Sequence, residues 1–129
     1  MRNPFTHKKL TDVKDAAAEF GHGDAMEFRS AKSDLETDDT GFSFTRIKPG
    51  KRQPFGHYHE EAEEVYVIVR GAGLLKLDDE VIEVERLDAI RVSPEVTRAF
   101  EAGDEGLEVI AFGAHHAGDG GVVPGWWSD

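Results

Sequence analysis

Between residues 42 and 113 the chain is a series of short apolar stretches separated by turn-forming residues, and this rhythm limits the folds open to it. Residues 42–47 alternate apolar and polar side chains and end at Lys48-Pro49-Gly50-Lys51, a turn signal. Further strands are predicted at residues 55–59, 64–70, 74–77, 81–84, 89–93, 97–100 and 106–113. Short strands at spacings of about ten residues, with turn chemistry between them, predict an all-β sandwich or barrel.

The N-terminal residues follow a different pattern. Residues 11–21 have the i, i+3, i+4, i+7 spacing of one apolar helix face, with Thr11 as the N-cap and Gly21 as the stop signal. The apolar positions are Val13, Ala16, Ala17 and Phe20. Residues 30–41 are turn formers and charges, which predict a loop.

The length of 129 residues suits a single domain. We expect residues 1–40 to form the helix and loop appendage, residues 41–113 the barrel, and residues 114–129 a tail. Trp126 and Trp127 lie near the C-terminus, where an unanchored tail is normally polar, so we expect this tail to dock.

Two histidines separated by one residue, His57 and His59, lie on a predicted strand. Side chains alternate faces along a strand, so both imidazoles point to the same side and can share one cation. Glu64, at the start of the next strand, would complete a 2-His-1-carboxylate triad that leaves open positions on a first-row metal. The alternative is a pair of barrel-lining histidines hydrogen-bonded to Glu64 or Tyr66.

The acids between these strands have a simpler interpretation. Consecutive acids in a short connection are usually exposed, so Glu60, Glu61 and Glu63 are predicted to form a solvated turn. Glu63 is a replacement ligand if the strand register shifts. His115 and His116 follow the last predicted strand and are expected at the barrel rim or in a loop.

Composition excludes several classes of partner. The formal net charge is -11, so binding to nucleic acid or to an anionic membrane is not expected, and a small molecule or another protein is the predicted partner. The chain has no cysteine, no apolar run of membrane-spanning length and no apolar N-terminal leader, which favours a cytoplasmic protein. In residues 64–70 both strand faces are apolar, with Val65, Val67 and Val69 on one of them. Either the N-terminal segment or a second subunit must cover such a face, and a homodimer is expected.

The motif around the two histidines resembles the first motif of the cupin superfamily. That motif is Gly, five residues, His-x-His, three or four residues, Glu, six residues, Gly. His57, His59, Glu64 and Gly71 match it, and only Gly50 departs, because it lies six residues before His57. The resemblance covers roughly residues 40–113. It implies a double-stranded β-helix, or jelly-roll barrel, with its site inside the mouth.

The second cupin motif is degenerate. Pro94 is present, but Leu87 stands at a usual glycine and Val96 at another. The motif's histidine, usually a fourth metal ligand, falls on Ala99 or, with a loop shorter by one residue, on Arg98. Neither can ligate a metal, since arginine keeps its proton.

Three positions are open to Arg98. In the mouth with Glu64, it would form a salt bridge in place of a metal, as in the metal-free pockets of cupin-type sugar epimerases. Further out, it would bind a substrate carboxylate or phosphate beside a three-ligand metal. The third position is the surface.

The resemblance implies two main functions. The first is a small-molecule enzyme with Fe, Mn, Ni or Zn on His57, His59 and Glu64, acting as an isomerase, decarboxylase or dioxygenase, with Tyr66 and Arg98 as candidate catalytic residues. The second is a metal-free, non-enzymatic binding or sensing domain in which Arg98 orients an anionic or sugar-like ligand. A structural dimer with a degenerate pocket is a third possibility, because the fold does not choose among functions.

Overall fold

The computed structural model describes residues 4–114 and 118–127. Most of the described residues are in β-strands, as the sequence predicts. The strands are β1 Met26–Ser30, β2 Thr40–Ile47, β3 Phe55–His59, β4 Glu64–Leu77, β5 Glu80–Glu85, β6 Ala89–Val92, β7 Arg98–Ala114 and β8 Gly120–Pro124. The short helices are α1 Ala16–Glu19 and α2 Lys32–Leu35, preceded by a 3₁₀ turn at Leu10–Asp12.

The strands form one curled antiparallel sheet with the topology of a jelly-roll barrel, which confirms the predicted fold class. Its continuous path is β1-β2-β7-β3-β8, and β4 pairs with β5, β6 and β7. β7 is therefore central, because it joins β2, β3 and β4. The predicted hairpin of β4 and β5 and the tight connection between β3 and β4 are both present.

Two predicted turns are instead bends within long strands. β4 runs through residues 70–73 and β7 through residues 101–105, with register shifts between Ile68 and Arg70 and between Gly71 and Gly73. Gly71 has a φ of 81°, and a Cβ on it would lie 2.0 Å from the carbonyl oxygen of Gly106. The glycines allow the two strands to bend together at close approach, so their presence does not end either strand.

The N-terminal segment differs from its prediction. The helix is a single turn that begins after Asp15, because the Asp15 carboxylate accepts hydrogen bonds from the backbone N–H groups of Ala17 and Phe28. Thr11 lies in the separate 3₁₀ turn, and Phe20 is 75% exposed rather than packed. Residues 26–30 form strand β1 on the edge of the sheet.

Fully buried side chains from three strands form the barrel core. They are Ile47 of β2, Ile68 and Leu75 of β4, and Leu107 and Val109 of β7. On the opposite face of β4, Val65 lies in register with Phe112, which is 38% exposed. Residues directly opposite in an antiparallel pair share a face, so this outer face keeps accessible apolar surface and the homodimer stays a prediction.

Residues 120–124 lie along β3. Strand β8 pairs with β3, and the Trp127 indole N–H donates to the backbone oxygen of Gln53 over 2.8 Å. Lys76 Nζ donates to the backbone oxygen of Trp126 over 2.7 Å and lies 4.3 Å from the centre of its ring. Within the described residues, no helix is long and apolar enough to cross a membrane.

Candidate metal centre

Strands β3 and β4 bring three metal-ligand side chains together. His57 and His59 come from β3, and Glu64 is the first residue of β4. One ligand atom from each residue can be chosen so that all three lie within 4.8 Å of one another. The Nε2 atoms of His57 and His59 are 3.6 Å and 3.5 Å from Oε1 of Glu64. The alternation of side chains along β3 and the short connection to β4 therefore produce the predicted group.

Glu64 is held in its ionised form. Burial alone would raise its pKa, but hydrogen bonds from His57, His59 and Tyr66 outweigh burial and hold the pKa of this carboxyl well below its usual range. A carboxylate that keeps its charge is ready to bind a cation or to pair with a guanidinium.

Asp119 supports the site from the residues just before β8. Its Oδ1 accepts hydrogen bonds from the backbone N–H groups of Glu60 and Glu61 over 3.0 and 2.7 Å, and its Oδ2 accepts from Ala62 over 3.1 Å. Burial would raise the Asp119 pKa, but these three N–H groups outweigh it and lower the pKa. Oδ2 also lies 3.5 Å from Nδ1 of His59, the position from which a carboxylate orients a metal-binding histidine.

Arg98 lies inside the barrel beside Glu64. It pairs in register with His57 and is fully buried, at 0% exposure, so both the surface and the outer, substrate-facing positions are wrong. This settles the sequence alternative in favour of Arg98 over Ala99 as the residue beside the ligands. The guanidinium donates four hydrogen bonds, to Glu64 Oε1 (3.1 Å), the Tyr66 hydroxyl (3.0 Å), and the backbone oxygens of Pro94 (3.2 Å) and Val96 (2.7 Å).

The Tyr66 hydroxyl connects the members of this cluster. It donates to Oε1 of Glu64 over 2.5 Å, accepts from Nε of Arg98, and lies 3.3 Å from Nε2 of His57. Burial and the Glu64 charge raise the pKa of Tyr66 well above its usual value, against a lowering by Arg98. The phenol therefore stays protonated at neutral pH. A catalytic role for Tyr66 or Arg98 stays a prediction.

Two cavities border the three ligands from different sides. His59 and Glu64 line a cleft of about 300 Å³ whose walls combine apolar residues such as Phe42 and Ala111 with the polar residues Ser30, Ser43, Glu63 and Asp119. His57 lines a second cavity of about 280 Å³ whose walls are mostly apolar. Phe28 lines both. We call the space beside His59 and Glu64 the polar cleft and the space beside His57 the apolar cavity.

Among the described residues, the acids of the connection between β3 and β4 are not part of the ligand group. Glu60, Glu61 and Glu63 are exposed, as expected of a solvated connection. His115 and His116 lie outside the described residues.

Two residues of the site were not predicted. Asp119 lies 55 residues beyond Glu64 with no spacing pattern to connect them. Phe28 belongs to a segment whose alternation of apolar and polar side chains, Met-Glu-Phe-Arg-Ser, was a strand signal.

Comparison with protein families decides the membership of the chain. The family described as "Cupin domain" matches residues 43–113, more than half of the sequence. The chain is a cupin. A curated relative, an uncharacterized protein of Methanocaldococcus jannaschii, is 40% identical over 45 residues. That match covers 35% of this chain and 36% of the relative, so the chain spans about a third of the curated protein's length.

Solved structures confirm the jelly-roll fold of this cupin. A cupin protein from Bacteroides fragilis superimposes with a TM-score of 0.72 at 19% identity, over 91% of this chain and 89% of that one. The polyketide cyclase RemF from Streptomyces resistomycificus has a TM-score of 0.72 at 19% identity, over 100% and 89%. A sugar phosphate isomerase from Silicibacter pomeroyi has a TM-score of 0.70 at 15% identity, over 93% of each chain.

Proposed function

We propose that this cupin is a divalent-metal enzyme that acts on a small organic molecule through an oxygen atom of that molecule. The observation that carries the proposal is the meeting of His57, His59 and Glu64 within 4.8 Å, with the Asp119 carboxylate behind His59. Imidazole and carboxylate ligands suit Fe, Mn, Ni and Zn. Cytoplasmic location and action as a homodimer are part of the same proposal.

The donor set fits such an ion. Glu64 is ionised, and Asp119 faces Nδ1 of His59, which leaves Nε2 of that ring on the side of Glu64. A metal ion in this group would supply Lewis-acid polarisation of a substrate oxygen. The chain's own residues would orient the substrate: the polar cleft offers polar side chains to one end of it, and the apolar cavity offers apolar walls on the side of His57.

The reaction we propose is an isomerisation, a cyclisation or a decarboxylation. Polarisation of one oxygen favours these reactions, because each passes through a state in which negative charge develops on that oxygen. The fold is shared with proteins described as a polyketide cyclase, a sugar phosphate isomerase and a predicted oxalate decarboxylase. Oxygen-dependent cleavage is the alternative reaction, and measuring whether turnover consumes O₂ separates it from these three.

Metal analysis tests the proposal. Protein purified without an affinity tag is stripped, reconstituted with each metal in turn, and its metal content measured. Wild type should bind one ion per chain, and His57→Ala and Glu64→Ala should lose it. His22→Ala is the matched control, since His22 lines the adjacent apolar cavity without belonging to the ligand group. Equal metal content in wild type and the ligand variants would refute the proposal.

A specific contact supports a second candidate, a metal-free binding cupin. Nη2 of Arg98 lies 3.1 Å from Glu64 Oε1, so the guanidinium already neutralises the carboxylate. Because Arg98 is fully buried, it would orient a ligand only through Glu64 and Tyr66. Wild-type protein that takes up no metal after reconstitution, yet still binds a small molecule, would favour this candidate.

A further inference from the structure

We propose that the ligand of this site is a ring-bearing, uncharged or weakly acidic molecule whose ring occupies the apolar cavity beside His57 and whose oxygen reaches the three ligands. This inference deepens the proposed function, since it names the substrate class of the same site. It rests on the proposed function only for the role of the oxygen.

The walls of the apolar cavity fit an apolar ring. It is bounded by α1 with the residue that follows it, and by β1 and β3; the apolar wall residues are Ala16, Ala17, Phe20, Met26, Phe28 and Phe55. His22 lies at the same cavity with its ring centre 5.5 Å from that of Phe55. A cavity of about 150 Å³ lined by apolar side chains binds benzene. The volume of about 280 Å³ here therefore accommodates a larger, bicyclic ring.

The position of the cavity connects the ring to the chemistry. His57 is part of its wall, and Nε2 of the same side chain lies 3.6 Å from Glu64. The polar cleft begins on the other side of the ligand group, and Phe28 borders both spaces. A molecule with a ring on the His57 side and an oxygen substituent at the ligands fits both surfaces.

The side chains that line the two cavities do not favour phosphorylated sugars as the ligand class. Neither cavity is lined by a lysine or an arginine within residues 4–114 and 118–127, and the polar cleft presents the acids Glu63, Glu64 and Asp119. Arg98 makes its hydrogen bonds inside the protein and is fully buried. A dianionic phosphate seated in either cavity would meet no lysine or arginine there, whereas a phenol or a ketone needs none.

Helix α1 supplies a matched pair of variants. Ala16 lines the apolar cavity, and Ala18, two residues away in the same turn, is exposed and does not line it. Ala16→Trp should fill the space meant for the ring, and Ala18→Trp adds the same side chain to solvent. Thermal unfolding followed by circular dichroism tests whether both variants are folded.

The probes are 1-naphthol and 1-naphthyl phosphate, which share a ring and differ in charge. Calorimetric titration of chelator-treated wild type should show binding of 1-naphthol and none, or binding at least about ten-fold weaker, of the phosphate. Ala16→Trp should weaken 1-naphthol binding by at least about ten-fold, and Ala18→Trp should leave it within about two-fold. Equal binding in the two variants, or tighter binding of the phosphate, would overturn the inference.

A spectroscopic measurement separates this inference from the proposed function. In wild type loaded with Co²⁺, 1-naphthol should change the visible absorption of the ion, because its oxygen reaches the ligand group. An unchanged spectrum under saturating 1-naphthol would overturn the placement of the oxygen. Binding of 1-naphthol by a protein that takes up no metal would contradict the metal enzyme and support the ring pocket. Metal uptake without 1-naphthol binding would support the metal enzyme and contradict the ring pocket.

Discussion

Replacement of Arg98 by methionine should cost the protein much of its stability. The guanidinium is fully buried and donates to Glu64, Tyr66 and two backbone oxygens. Removal of one partner of a buried ion pair typically costs about 3–5 kcal/mol, because the other charge stays buried. The Glu64 side chain is 20% exposed and keeps its contacts with Tyr66 and the histidines. The cost of leaving its charge without Arg98 therefore falls at the lower end of that range.

The two carbonyl groups add a smaller amount. The backbone oxygens of Pro94 and Val96 are partly buried, and each lost hydrogen bond costs about 1 kcal/mol. Packing of the methionine side chain offsets part of this loss. We therefore expect Arg98→Met to lower the free energy of unfolding by about 3–4 kcal/mol.

Urea unfolding at pH 7, followed by circular dichroism, measures this difference. Arg70→Met is the matched control, since Arg70 is 76% exposed with its guanidinium 3.7 Å from Glu108 and should cost less than about 0.5 kcal/mol. In the double variant Arg98→Met/Glu64→Gln much of the loss should be recovered, because no buried charge is left unpaired. A loss below about 1 kcal/mol in Arg98→Met would refute a structural role for this ion pair.

Four further predictions concern other parts of the chain. Asp119→Asn should weaken Zn²⁺ binding about 10–100-fold in competition with a fluorescent chelator, because His59 loses its orienting carboxylate; unchanged affinity would contradict this. Leu87 is 68% exposed and has a φ of 72°, a backbone conformation that glycine adopts more easily. Leu87→Gly should therefore raise the free energy of unfolding in urea by about 0.5–1 kcal/mol. A free energy of unfolding below that of wild type would show that packing of the leucine side chain stabilises the fold. Hydrogen bonding to Arg29 is the main cause that lowers the Glu27 pKa below 4.5 in the folded state. The ionised Glu27 therefore stabilises the fold above pH 4.5, and this stabilisation is lost as the pH falls further. Urea unfolding at pH 6 and pH 3.5 measures the pH dependence, and Glu27→Gln should remove this part of it. Phe112→Asp should convert the expected homodimer to monomers in sedimentation velocity, and a wild type that is itself monomeric would remove the dimer.

The sequence predicted the elements whose signal is local. The His-x-His pair and Glu64 belong to one strand-turn-strand unit, and alternation along β3 alone determines that both rings share a face. The single long strand β7 was predicted as two strands, because Gly103 and Gly106 are also turn formers and only the pairing with β4 shows that they permit a bend. The α1 helix was predicted too long, since the Asp15 cap depends on a contact with Phe28 across the chain.

The position of Arg98 in the barrel could not be predicted from local sequence alone. Motif spacing narrows the residue at the histidine position of the second motif to Arg98 or Ala99. The choice between them requires the register of β7 against β3, which aligns Arg98 with His57. A histidine at this position would be neutral and would add a ligand, whereas the arginine keeps its proton and adds a positive charge.

The arginine at position 98 changes the charge balance of the site. Arg98 already balances the charge of Glu64, so a divalent ion would enter a group whose own carboxylate is paired, and the nearby acids Asp119, behind His59, and Glu63, on the cleft wall, are not among the three ligands. Two like charges in such a site repel by several kcal/mol, and a ligand oxygen that carries or develops negative charge reduces that repulsion. Metal and ligand should therefore bind with positive coupling, each raising the affinity of the other by the same factor. An acidic phenol or an enolisable ketone, whose ring the apolar cavity accommodates, has the oxygen that this charge balance requires.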